Sequence, residues 1–174
     1  MKPLILVSSL TGNTRLLALA LGDALGADVC AAKDAPETIE PGRPVLLGFW
    51  CDRGIAPEDI REAAEKLTNR DIGCFATMGG DPTTPKALAW MEKTSQALVG
   101  DTRGNRLKAT FLCRGRIDPL LFERMSAMMG GVTPEREARR RASETHPDRL
   151  DMLEAVERFR THFGTPNTQS EQTL

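Results

Sequence analysis

The sequence predicts an α/β fold: a doubly wound, five-stranded parallel sheet with helices on both faces. Three observations predict it. Short continuous apolar runs, which suit strands buried on both faces, alternate with longer stretches whose apolar residues recur at helical spacing. The length of 174 residues allows one domain with a real core and is too short for two ordinary ones. The composition is 40% hydrophobic and 27% charged, with 15 Gly and 11 Pro, which places the chain outside the disordered, collagen-like and disulfide-scaffold classes.

Leu4 to Ser8 reads as the first strand. Asn13 to Leu25 reads as a helix, because Leu17, Leu21, Ala24 and Leu25 share one face. Ala27 to Ala31 is a short second strand. Arg43 to Trp50 contains Val45-Leu46-Leu47-Gly48-Phe49, the strongest strand pattern in the chain, and supplies the third. Pro57-Glu58-Asp59 then opens a helix, with proline and acids in its first turn. Asp71 to Met78 is the fourth strand, Pro85 to Val99 the next helix, Thr110 to Cys113 the fifth strand, and Arg149 to Phe163 a closing amphipathic helix. Between the last two, Asp118 to Met129 has helical character. Gly130 to Pro147 carries Thr133-Pro134-Glu135, a good helix start, followed by Arg139-Arg140-Arg141. An added helical region is therefore expected near 118–147. The domain is expected to span 1–164, and the polar tail 165–174, with almost nothing to bury, to be flexible.

Charge and residue usage exclude several function classes. Twenty-three basic against 24 acidic side chains leave a formal charge of −1, so no global field draws the chain to nucleic acid or an anionic membrane. Its longest apolar runs fall well short of the roughly 20 residues a bilayer requires. Met1-Lys2-Pro3 leads straight into a strand without an apolar export segment, so the expected location is the cytoplasm. The cysteines at 30, 51, 74 and 113 form no C-x-x-C pair, and His146 and His162 are the only histidines, so no metal site is expected.

The most informative stretch is Ser8-Ser9-Leu10-Thr11-Gly12-Asn13-Thr14, at the junction of the first strand and first helix. The first N–H groups of a helix are unpaired and carry the positive end of its dipole, so an anion is stabilised there. Ser9, Thr11 and Thr14 add hydroxyl donors, Gly12 allows close approach, and Asn13 offers an amide. A phosphate fits; a plain polar turn with a helix cap is the competing reading. Neither G-x-x-x-x-G-K-[ST] nor G-x-G-x-x-G occurs, which removes the triphosphatase and dinucleotide fingerprints. A receiver domain needs paired acids where this chain has Ser8-Ser9, and no G-x-S-x-G elbow serves acyl transfer.

Ile5-Leu6-Val7-Ser8-Ser9-Leu10-Thr11-Gly12-Asn13-Thr14-Arg15-Leu16-Leu17-Ala18 resembles the N-terminal signature of flavodoxins, with its T/S-x-T-G-N-T loop. Gly48-Phe49-Trp50-Cys51-Asp52-Arg53-Gly54 and Phe111 to Pro119 resemble, more narrowly, a flavodoxin-like subgroup that includes proteins accompanying bilirubin reductases. The resemblance implies strand order 2-1-3-4-5 and noncovalent FMN. It also implies an electron carrier, monomeric or weakly dimeric, whose partners are a reductase and an acceptor protein.

In such a sheet the ligand lies beyond the carboxyl ends of the strands, where the strand order reverses. The expected cofactor-binding residues are Ser9, Leu10, Thr11, Gly12, Asn13 and Thr14 in the first loop; Phe49, Trp50, Cys51, Asp52 and Gly54 in the second; and Thr77, Met78, Gly79, Gly80 and Asp81 in the third. Trp50 offers a flat face for the flavin ring, and the paired glycines let backbone amides approach its edge. Trp90, with Leu88, Met91 and Leu98 around it in sequence, is expected to pack away from the ring. The chain has no tyrosine, so the other ring face falls to Met78 or stays open. Cys51-Asp52 stands where flavodoxins often place a glycine. No residue is identifiable as an acid, base or nucleophile. The competing functions are an FMN-dependent NAD(P)H reductase of a small quinone, azo or tetrapyrrole substrate, with the added helices walling its pocket, and a flavin-free interaction domain.

Overall fold

The computed structural model describes residues 1–164; the tail expected to be flexible lies outside the described residues. Five parallel strands, β1 (Leu4–Val7), β2 (Asp28–Ala31), β3 (Val45–Trp50), β4 (Asp71–Met78) and β5 (Arg106–Arg114), pair in the order β2-β1-β3-β4-β5. Order and direction are those expected. The helices are α1 (Asn13–Leu25), α2 (Glu58–Glu65), α3 (Pro85–Val99), α4 (Pro119–Met128), α5 (Pro134–Ser143) and α6 (Arg149–Phe163). No described helix is long and apolar enough to cross a membrane.

Side-chain alternation along the strands divides the core in two. Leu4, Leu6, Val45, Leu47, Phe49, Ile72, Cys74 and Ala76 pack under α2 and α3. Ile5, Val7, Leu46, Phe75 and Cys113 pack under α1 and α6, with Phe159 and Phe163. Two glycines admit this second layer. A Cβ on Gly48 would stand 2.3 Å from Cζ of Phe75, and one on Gly73 would stand 2.8 Å from Phe159. Phe75 and Phe159 meet edge to face at 6.2 Å, as do Phe159 and Phe163 at 5.9 Å.

The fifth strand is longer than expected, starting at Arg106 rather than Thr110. It is an edge strand, so Arg106-Leu107-Lys108-Ala109 alternates exposed and half-buried positions instead of forming an apolar run. A bulge sharpens the departure: Ile72 pairs with Leu107 but Gly73 with Ala109, leaving Lys108 as the extra residue.

The added helical region is α4 and α5, capped by Asp118 and Thr133, whose side chains accept from the N–H groups of Leu121 and Arg136. It is fastened to the carboxyl edge of the sheet through the segment after β5. Arg116 N–H donates to the His146 carbonyl at 2.8 Å, and Ile117 N–H to Ser143 Oγ at 3.0 Å. Within α5 the arginine run is largely engaged. Arg140 pairs with Glu137 at 2.8 Å and Glu144 at 2.7 Å, and Arg141 pairs with Glu137 at 2.9 Å. Arg140 also lies over the Phe122 ring, 5.9 Å from its centroid.

Candidate functional site

Four segments meet beyond the carboxyl ends of the inner strands. The first is the loop from β1 to α1. Its Gly12 takes φ +97°, in the left-handed region, and as the residue before the helix offers no side-chain cap of its own. A Cβ on Gly12 would meet no described atom within 4 Å, so the space before the helix end is open. Ser9 shapes the loop: its Oγ accepts the N–H of Gly12 at 3.2 Å and of Arg15 at 3.3 Å, leaving its hydroxyl proton to donate. Leu10, Thr11 and Gly12 are exposed at the tip.

Two residues of this loop act inward. The Asn13 amide donates to the Arg116 carbonyl at 2.9 Å and to Thr11 Oγ1 at 3.3 Å, which leaves the Asn13 backbone N–H for a ligand. Gly115 permits the tie, since a Cβ there would stand 2.8 Å from Asn13 Nδ2. Thr14 is buried, and its hydroxyl lies 2.9 Å from that of buried Thr77 at the end of β4.

The second segment follows β3. Trp50 pairs in register with Thr77 and shares a sheet face with Leu46 and Gly48, the face that α1 covers. It is half-buried and joins neither core cluster among the described residues. Phe49, one residue earlier, takes the opposite face and is fully buried, with its ring 6.0 Å from that of Trp90. Phe49 is expected to border the ligand, and period-2 alternation turns its side chain into the α2–α3 core. Trp90 packs against that core as expected, but also reaches the loop: its Nε1 donates to the Gly54 carbonyl at 2.9 Å.

Cys51 donates its N–H to the Thr77 carbonyl at 3.2 Å. Burial pushes its thiol above the usual range, partly offset by the backbone N–H of Gly54 beside the sulfur. Asp52 and Ile55 form an antiparallel pair, with N–H to carbonyl distances of 3.0 and 2.9 Å. Arg53 at φ +48° and Gly54 at φ +89° make the tight turn between them.

The third segment follows β4. Met78, Gly79 and Gly80 are half-buried. Gly79 is small for the sake of packing, since a Cβ there would press on Ile117 at 2.9 Å. The Gly80 carbonyl accepts from Arg114 Nε at 3.3 Å. Asp81 closes the turn into α3, accepting from the Thr83 N–H at 2.9 Å and hydroxyl at 2.7 Å. The Thr83 hydroxyl, more than the Arg114 guanidinium 3.9 Å away, holds its carboxyl below the usual range.

The fourth segment, Arg114 to Ile117, escaped sequence reasoning as part of the site. Its Gly115 N–H donates to the Met78 carbonyl at 2.8 Å, so it ties the first and third loops together. The run Arg114-Gly115-Arg116, with a glycine just past a strand, was the available signal.

The donor set has the character of an anion cradle beside a flat apolar wall. A helix start whose Asn13 and Thr14 N–H groups take no described partner, the exposed Thr11 hydroxyl and an open glycine stand at the same edge as a half-buried indole. Residues 4–160 match a family model described as a flavodoxin domain. The chain belongs to the flavodoxin family. This flavodoxin-family protein is 30% identical over 167 residues to the flavodoxin-like domain-containing protein BilS of Clostridioides difficile (strain CD3), with 89% of this chain and 92% of that protein covered. Among solved structures it is similar in fold to the Streptococcus pneumonia TIGR4 flavodoxin. That match has a TM-score of 0.50 at 15% identity and covers 90% of this chain and 98% of the other. The Trp repressor binding protein from Bacillus subtilis is similar in fold at TM-score 0.53 and 12% identity, covering 90% of this chain and 96% of the other.

Proposed function

We propose that this protein binds FMN noncovalently and carries electrons between a reductase and an acceptor protein. The observation that carries the reading is the start of α1, where the Asn13 and Thr14 N–H groups take no described partner beside open Gly12, on the same sheet edge as the half-buried Trp50. The backbone N–H groups of Asn13 and Thr14, with the hydroxyls of Ser9 and Thr11, hold the phosphate. Trp50 stacks on one face of the ring, and Cys51, Asp52 and the Met78–Gly80 backbone border its edge. FMN, when bound, supplies the one- and two-electron redox chemistry. The chain supplies anchorage, the apolar wall and the electrostatic setting.

The Thr14–Thr77 pair supports the fit independently. Two hydroxyls carry two protons, and the bond between them uses one, so a donor remains inside the cradle. The absorption spectrum of the purified protein, taken before and after adding FMN and again after adding NAD(P)H, tests the reading. Saturable FMN binding with shifted flavin bands, and slow NAD(P)H oxidation until a reductase is added, is the expected result. Rapid oxidation of NAD(P)H by the protein alone would make it a reductase in its own right.

A further inference from the structure

Trp90 is half-buried, and its indole N–H finds an acceptor 36 residues away in the Gly54 carbonyl, at 2.9 Å on the exposed side of the ring. The donor is held firmly. The Trp90 ring meets Phe49 edge to face, Phe49 is fully buried, and Thr84 and Pro85 set the start of α3, the helix that carries Trp90. What it holds is a turn of uncommon backbone. Arg53 is one of two non-glycine residues at positive φ among those described, and Gly54 follows it in the same region. Such a conformation persists only where its surroundings over-determine it.

The Gly54 carbonyl accepts from Trp90, which ties the turn to α3. The Asp52–Ile55 pair closes the turn, and Cys51 is bonded through its N–H to the Thr77 carbonyl, next to Trp50. An unbroken series of contacts therefore runs from the α2–α3 core to the edge where the ring would lie.

We propose that Trp90 is a positioning residue: by holding the Gly54 carbonyl it sets the Asp52–Ile55 turn, and through that turn the Cys51–Asp52 backbone that borders the flavin. The consequence for FMN rests on the reading given under Proposed function; the consequence for the turn does not. Sequence gives Trp90 the look of an ordinary core residue, and its core packing accounts for the ring but not for the bond to Gly54.

The test separates ring from N–H in the full-length protein. Trp90→Phe keeps an aromatic edge for Phe49 and removes the donor. Phe49→Leu keeps the donor and loosens the packing. In ligand-free protein, Trp90→Phe is expected to speed amide exchange of Asp52 and Ile55 by about tenfold, the factor an ordinary hydrogen bond supplies. Alkylation of Cys51, followed on its own peptide, rises with it, while exchange in β1 and β4 stays as in the parent. Phe49→Leu is expected to lower the melting temperature without that selective change at the turn. With ligand, Trp90→Phe is expected to weaken FMN and riboflavin by the same factor and to move the flavin midpoint potential, because the turn borders the ring and not the phosphate. Unchanged exchange at Asp52 and Ile55 in Trp90→Phe would overturn the proposal, as would acceleration spread evenly over the sheet. Failure of the parent to bind FMN would sink the cofactor reading instead, and the exchange result would still decide the role of Trp90.

Discussion

The hydroxyls of Thr14 and Thr77 lie 2.9 Å apart, both buried, although 63 residues separate them in sequence. The bond fastens the first turn of α1 to the end of β4, and so the loop proposed to hold phosphate to the strand that pairs with Trp50. Thr14→Val should leave Thr77 without its partner at a cost of about 1–3 kcal/mol. FMN affinity should fall more than riboflavin affinity, since only FMN carries the phosphate. Chemical denaturation and parallel flavin titrations measure the two effects. Equal losses for both flavins would remove Thr14 from the phosphate site.

Asn13 and Arg116 stand in a similar relation, with the side-chain amide donating to the carbonyl at 2.9 Å across 103 residues of sequence. Asn13→Ala is expected to loosen the segment that leads into α4. Amide exchange at Arg116 and Ile117 should rise, with FMN binding weakened. Unaltered exchange there would show that the α4–α5 region is held by its other bonds alone.

Gly48 is where the sheet is least forgiving. Its missing Cβ would stand 2.3 and 2.5 Å from two atoms of the Phe75 ring, which is itself packed on Phe159. Gly48→Ala should destabilise the fold by about 1–3 kcal/mol through overpacking, seen as a lower midpoint in urea. Retention of the parent midpoint would mean that Phe75 can move aside at no cost.

The pH dependence of α5 follows from Glu137. Hydrogen bonds from Arg140, then Arg141, hold its carboxyl at about 2, below the usual 4.5. A depressed folded value stabilises the folded state above the unfolded value, so this contribution is complete above pH 4.5 and is lost as pH falls towards 2. Thermal melts across that window should show a steeper loss for the parent than for Glu137→Gln. Identical slopes would mean that the carboxylate adds nothing to folding.

The inner strands were legible because burial on both faces writes a continuous apolar run, as in Val45 to Phe49. The same rule hid the start of β5, whose edge position and bulge replace the run with Arg106-Leu107-Lys108-Ala109. The loop from Ser9 to Thr14 stands out in the sequence because its chemistry is local. Adjacency hides the placement of Phe49: neighbours along a strand point to opposite faces, so its side chain enters the core while that of Trp50 does not. Ties such as Trp90 to Gly54 and Asn13 to Arg116 join residues far apart in the chain, and only the folded backbone brings them together. The Arg139–Arg141 run is a concentration of positive charge in the sequence. Its pairing with Glu137 and Glu144 accounts for two of the three charges within α5 itself.

The most direct test of the central claim is a titration of FMN into flavin-free protein, followed by tryptophan fluorescence in the parent and in Trp50→Leu. The account predicts saturable binding at one FMN per chain, with most of the quenching contributed by Trp50. It also predicts weaker binding in the variant, by roughly 0.5–1.5 kcal/mol for the lost aromatic contact beyond area burial. No saturable binding by the parent, or equal affinity and equal quenching in Trp50→Leu, would contradict it.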